Sequence, residues 1–326
     1  SKSKFLSIIS FLNGRHVNPN FKNMSRHWHP KEVLAIFLVI FSLLFYWFIP
    51  FKTTDFQPDY NRNSNFSINS SGSMQFYPNM RYPEPVISYS ITDCTLKKKD
   101  EMVRAFDFIS NLTVLKFYPT GETPEISITC DSNNKIEGGL FIAGEGGPTN
   151  ITKTEKFSVI LAGKILLIRE SGCKTPNVPI HELMHVLGFD HSDNSGNLMY
   201  PISDCSQTIG EDSIELINQL YSVPSYPDLS FEGVSATMHG AYLDTDIIIR
   251  NNGLKQSETF KVKIYADEKM IKEIEFEQLD IGFGRSIRLR NFWIKSPDVD
   301  VLKFVIDYNS NELDKDNNNF LLKLKK

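Results

Sequence analysis

The spacing of apolar residues changes character several times along the chain, and each change predicts a different element. Residues 33–51, VLAIFLVIFSLLFYWFIPF, hold no charge, about the length that crosses a hydrocarbon core as a helix. Tyr46 and Trp47 suit one interface and Trp28 the other. Residues 52–80 are rich in Asn, Ser, Pro and Thr without apolar periodicity and read as a flexible stalk. Alternation over 85–91 predicts a half-buried strand, with further strands over 112–118, 125–130 and 157–169. Met102, Val103, Phe106 and Ile109 have helical spacing, as do Ile214, Leu216, Ile217, Leu220 and Tyr221 before the stop at Pro224. Lys97, Lys98 and Lys99 read as a solvated turn. Residues 176–189 predict another helix. From Tyr226 onward the period is two, as in Phe260-Val262-Ile264 and Leu302-Phe304-Ile306, with turns at Gly240, 251–253 and Gly282. About seven short strands in the last hundred residues suggest an immunoglobulin-like sandwich.

Composition narrows this picture at a few points. A chain of 326 residues has room for two ordinary domains, and 41% hydrophobic content excludes global disorder. A net charge of −4 gives no reason to expect a nucleic-acid partner. The first 31 residues carry Lys2, Lys4, Arg15, Lys22, Arg26 and Lys31 and no acidic residue. That basic flank should stay inside, so the chain reads as a single-pass cell-membrane protein with a cytoplasmic tail (1–31), an anchor (32–51) and an extracellular remainder. A cleaved signal peptide is the rival. The apolar run is longer than an ordinary h-region, and no A-x-A-like site follows it. Asn65, Asn69, Asn111 and Asn150 begin N-x-S/T sequons, compatible with an outward face.

Candidate chemistry is concentrated in residues 181–201, HELMHVLGFDHSDNSGNLMYP. His181 and His185 stand four apart, so on a helix both imidazoles reach one ion from one face. Glu182 suits the general base of an activated water. Gly188 can take the left-handed conformation that ends a helix, and the reversal would bring His191 up as third ligand. Three nitrogen ligands leave one position of a tetrahedral zinc open, as a catalytic site requires.

At these residues the chain resembles the metzincin clan of zinc metallopeptidases. Ser192 after the third His and the Met199-Tyr200-Pro201 turn look most like the matrixin branch. The likeness covers roughly residues 81–224. It implies an α+β catalytic domain, a twisted mixed sheet with an active-site helix. His181, His185 and His191 would be ligands, Glu182 the base, and Met199 the residue underlying the site. The clan's transition-state tyrosine stands two places after the methionine, so Tyr200 receives no catalytic role. The archaemetzincin pattern, with a cysteine after the third His, is not met. The likeness makes residues 138–144 the edge strand beside the cleft, where Leu140, Phe141, Ile142 and Ala143 would bind a peptide substrate. Pro201 and Ile202 would wall the pocket past the scissile bond. No cysteine segment of the matrixin zymogen kind precedes the domain.

Four cysteines allow three pairings, and structural disulfides are favoured over a second metal site because no C-x-x-C pair is present. The expected set is Cys173–Cys205 with Cys94–Cys130. Residues 225–326 resemble a CARDB-type module, on Pro227-Asp228-Leu229, residues 250–253 and the Asn-rich run 311–319. That likeness implies contact with a surface protein or glycan. Asp307, Asn309, Asn311, Asp314 and Asp316 could ligate calcium, but no glycine stands where an EF-hand loop turns, and calcium is an unsupported option. The expected function is a membrane-anchored extracellular zinc endopeptidase. The alternative is a catalytically inert surface adhesion or binding protein, against which the intact ligand set and Glu182 argue.

Overall fold

The computed structural model describes residues 30–48, 53–58, 74–133, 135–138, 140–295 and 298–325. The chain divides into a unit of residues 1–51 and one of residues 52–326. The first contains helix α1 (Pro30–Phe48). Lys31 and Glu32 lie inside this helix, so its uncharged run extends only from Val33 to Phe48, about 24 Å at helical rise. A bilayer core needs ~30 Å. No helix among the described residues is long and apolar enough to cross a membrane. That finding overturns the expected transmembrane anchor, and with it the single-pass placement with an extracellular catalytic domain. Of the basic tail expected over residues 1–31, residues 1–29 lie outside the described residues.

The second unit begins with strand β1 (Thr53–Pro58), followed by β2 (Met80–Arg81), β3 (Val86–Ile91), α2 (Leu96–Leu112), β4 (Lys116–Pro119) and β5 (Ile126–Cys130). Next come β6 (Lys135–Glu137), β7 (Leu140–Ile142), β8 (Gly144–Lys153), β9 (Ser158–Leu167), α3 (Asn177–Val186) and α4 (Glu211–Ser222). The remainder is β10 (Leu229–His239), β11 (Tyr242–Asn251), β12 (Phe260–Ala266), β13 (Lys269–Phe276), β14 (Gly284–Trp293), β15 (Val301–Asp307) and β16 (Asn319–Leu324).

A mixed sheet in the order β2-β9-β5-β3-β4 forms the frame of the first half, its neighbours parallel, with β8 antiparallel on β9. The core includes Ile87, Ile126, Ile128 and Ile165 from the strands, Met102, Phe106 and Ile109 from α2, Leu183 and Met184 from α3, and Leu216 and Leu220 from α4. Helix α2 starts where the Thr95 side chain accepts the Lys98 N–H, satisfying an otherwise orphaned donor. The lysine run is therefore helical rather than a solvated turn. Lys98 is buried, and its ammonium donates to the carbonyls of Asp131, Leu167 and Ile168. Disulfides join Cys94 to Cys130 and Cys173 to Cys205.

The second half is a β-sandwich with Phe231, Ile247, Val262 and Phe304 in its core. Strand β1 belongs to it: Thr53–Asp55 pair with β10, and Phe56–Pro58 pair with β16, so β1 connects the two sheets. A flexible stalk over residues 52–80 is thus corrected at both ends. Phe56 is the buried residue that docks β1, a single anchor that produces no visible period. Residues 74–79 pack on the first half, and residues 59–73 lie outside the described residues.

The β8–β9 hairpin links the halves. Its tip residue Phe157 is buried with Val159 and Leu254. Beside it Lys156 Nζ reaches Asp228 Oδ2 at 2.9 Å and Asp314 Oδ2 at 3.4 Å. Lys156 and Asp228 retain only 7% and 1% side-chain exposure.

Candidate active site

Helix α3 runs through the core with every residue buried, so its polar side chains can only face a built site. His181, Glu182 and His185 are 9%, 6% and 7% exposed. The helix closes on Gly188 at φ 96°, with Gly188 N–H donating to His185 O and Phe189 N–H to Met184 O. Only glycine takes that backbone region without strain, and this closure is a common helix stop. The chain then doubles back and presents His191.

The three Nε2 atoms converge. His185 Nε2 stands 3.0 Å from that of His181 and 3.1 Å from that of His191. Among the described residues this is the group of His, Cys, Asp or Glu that could hold a metal ion. His181 Nδ1 donates to Leu198 O at 2.8 Å, and His185 Nδ1 to Phe189 O at 2.8 Å. With the proton fixed on Nδ1, the facing Nε2 atoms are bare lone pairs. Bare lone pairs at 3.0 Å repel unless a cation sits among them, so the donor set fits a metal ion. Burial, opposed by the Leu198 carbonyl and reinforced by the neighbouring histidines, drives the His181 pKa down to about 4. Burial also lowers that of His185. Both rings are held in the neutral form that binds metals.

The Glu182 carboxylate lies against the amino end of β8. Burial first, and the Glu145 charge second, push its pKa up to about 8. Gly144 and Gly146 stand two apart and so share one face of β8. A Cβ on Gly146 would approach the Glu182 main-chain oxygen to 2.4 Å. Those glycines let strand and helix meet at backbone distance. In the sequence, the two-residue spacing of Gly144 and Gly146 is the signal for this close approach.

The remaining expected site residues are dispersed. Met199 is buried in the core, and its carbonyl accepts the Ser192 N–H, tying it to the residue after His191. Asn197 closes the turn, its Oδ1 accepting the Met199 N–H. Leu140, Phe141 and Ile142 are not on the edge of the main sheet. They form β7, which among the described residues pairs only with β6 in a separate ribbon, and the main-sheet edge beside β9 is β8. Phe141 is exposed beneath the Arg169 guanidinium, 4.4 Å from its centroid. Ala143 does reach the sheet, its carbonyl accepting from Ile168 and Arg169 N–H. Pro201 and Ile202 are exposed, and the buried Gln207 donates to Ile202 O. Of the acidic run in the second half, Asp307 pairs with Lys263 and Asp314 with Lys156.

The first half thus combines a mixed sheet, a buried histidine helix and a third histidine beyond a glycine turn. Residues 82–222 match the family model described as Matrixin, and residues 226–321 match the one described as CARDB. Among solved structures, the CARDB domain of a Pyrococcus furiosus protein in complex with di-metal ions is similar. The likeness has 16% identity and a TM-score of 0.25, covering 30% of this chain and 86% of that one. No curated protein matches.

Proposed function

We propose that the chain is a zinc-dependent endopeptidase acting on protein or peptide substrates, with His181, His185 and His191 holding the ion. The observation that carries this reading is the convergence of three Nε2 atoms, with Glu182 in the buried helix that carries His181 and His185. Zinc, when bound, supplies Lewis-acid chemistry, acidifying water and polarising a carbonyl.

Glu182 takes a proton from the attacking water and returns it to the leaving amine. Its burial excludes competing water and raises the proton affinity of the carboxylate above the ordinary glutamate value. Leu198 O and Phe189 O keep the His181 and His185 rings in one tautomer. An extended substrate adds to the free edge of β8, which among the described residues pairs only with β9. Beyond the peptidase domain, residues 226–321 suit contact with another protein.

Metal analysis and digestion of an unfolded protein test this reading. The wild-type chain should bind one zinc and cleave, with cleavage abolished by chelation. Glu182→Ala should keep the zinc and lose cleavage. A wild-type chain that binds zinc but cleaves nothing, or a fully active Glu182→Ala variant, overturns it.

A further inference from the structure

The matrixin match begins at residue 82, yet three residues upstream of it run along the turn that delivers His191. Gln75 bridges Phe189 in the antiparallel sense. Phe76 N–H donates to Gly188 O at 3.0 Å, and Asp190 N–H donates to Met74 O at 3.0 Å. The Gln75 side chain fastens this segment to β2: its Oε1 accepts from Met80 N–H at 3.0 Å, and its Nε2 donates to Met80 O at 2.7 Å. The Phe76 ring stacks on the His185 imidazole, with centroids 5.8 Å apart and planes 25° apart.

Each contact falls on a support of the histidine site. Phe189, the bridged residue, supplies the carbonyl that orients His185 through Nδ1. Asp190, held by Met74, immediately precedes His191. Phe76 covers a face of the His185 ring and limits its rotation. Gly188 lies at the pivot of the reversal, where the backbone has the most freedom. Without an outside partner, the Gly188 carbonyl and Asp190 amide would face solvent and the turn could open.

We propose, on the zinc reading above, that residues 74–76 are a strap that positions His185 and His191, so that retention of the metal depends on a segment upstream of the peptidase domain. Phe76 and Gln75 are positioning residues: neither supplies a metal-binding atom. Groups that orient a ligating histidine typically change metal affinity by about 10–100-fold when removed.

The test uses the full chain. Zinc-loaded protein is mixed with excess chelator and release is followed with time. Phe76→Ala should release zinc about 10-fold faster than wild type, and Phe76→Tyr, which keeps the ring, should match wild type. Release from Phe76→Ala at the wild-type rate overturns the strap. Should Phe76→Ala fail to fold, Gln75→Ala replaces it, with the same expected and overturning rates. A second arm measures amide exchange at Asp190 in metal-free protein. Protection in wild type that is lost in Gln75→Ala supports the strap, and an unprotected wild-type Asp190 amide sinks it. A wild-type chain that takes up no zinc removes the peptidase reading instead, and the exchange arm then decides the strap alone.

Discussion

A Cβ placed on Gly144 would stand 2.8 Å from Cγ and 2.9 Å from Oε1 of Glu182. The bare strand face at residue 144 is therefore what allows the carboxylate to lie where it does, between the active-site helix and the sheet edge.

Gly144→Ala should displace that carboxylate while leaving the three imidazoles in place. A misplacement of about 1 Å at a reacting group can cost 10²-fold in rate. We expect turnover of an unfolded-protein substrate to fall at least ~10-fold, with zinc content unchanged. Gly121→Ala, in the turn between β4 and β5, is the control, because nothing lies within 4 Å of a Cβ there. Wild-type turnover in Gly144→Ala would show that Glu182 tolerates the shift.

The metal-free protein should have an asymmetric pH response. The ordinary histidine value is 6.5; His181 is depressed to about 4 in the fold, and His185 is also depressed. The His181 contribution to stability is therefore full above pH 6.5 and lost as pH falls through about 4, and that of His185 is lost on the same acid side. Glu182 is raised from 4.5 to about 8, so its contribution is full below pH 4.5 and lost as pH rises through about 8. Thermal unfolding of chelator-treated protein should show Tm declining between pH 6.5 and 8. Glu182→Gln should flatten that decline and leave the acid side unchanged. An identical alkaline slope in the variant would remove Glu182 from the account.

Lys156 and Asp228 form a buried ion pair between the β8–β9 hairpin and the sandwich. Removing one member of such a pair strands the other charge, at a cost of about 3–5 kcal/mol. Lys156→Met should lower the urea midpoint of the full chain substantially, and Lys156→Met with Asp228→Asn should recover much of the loss. Should the single and double variants unfold alike, the stranded charge is not the cause.

The local features of this protein are legible in its residues. The i, i+4 spacing of His181 and His185 and the glycine at 188 follow from helix geometry, and the structure has the matching helix and positive φ. Period-two runs likewise announced the strands of the sandwich, because alternation is a local consequence of the pleat. Charge placement inside α1 is local as well: with ends at Pro30 and Phe48, the helix includes Lys31 and Glu32. Tertiary structure alone decided the rest. Thr53–Pro58 join a sheet whose other strands lie more than 170 residues away. Phe76 meets His185 across about a hundred residues, and Gly144 meets Glu182 only because a strand and a helix pack together. Such partners leave no period in the sequence, since their contacts are chosen by the folded surfaces they meet and not by their neighbours along the chain.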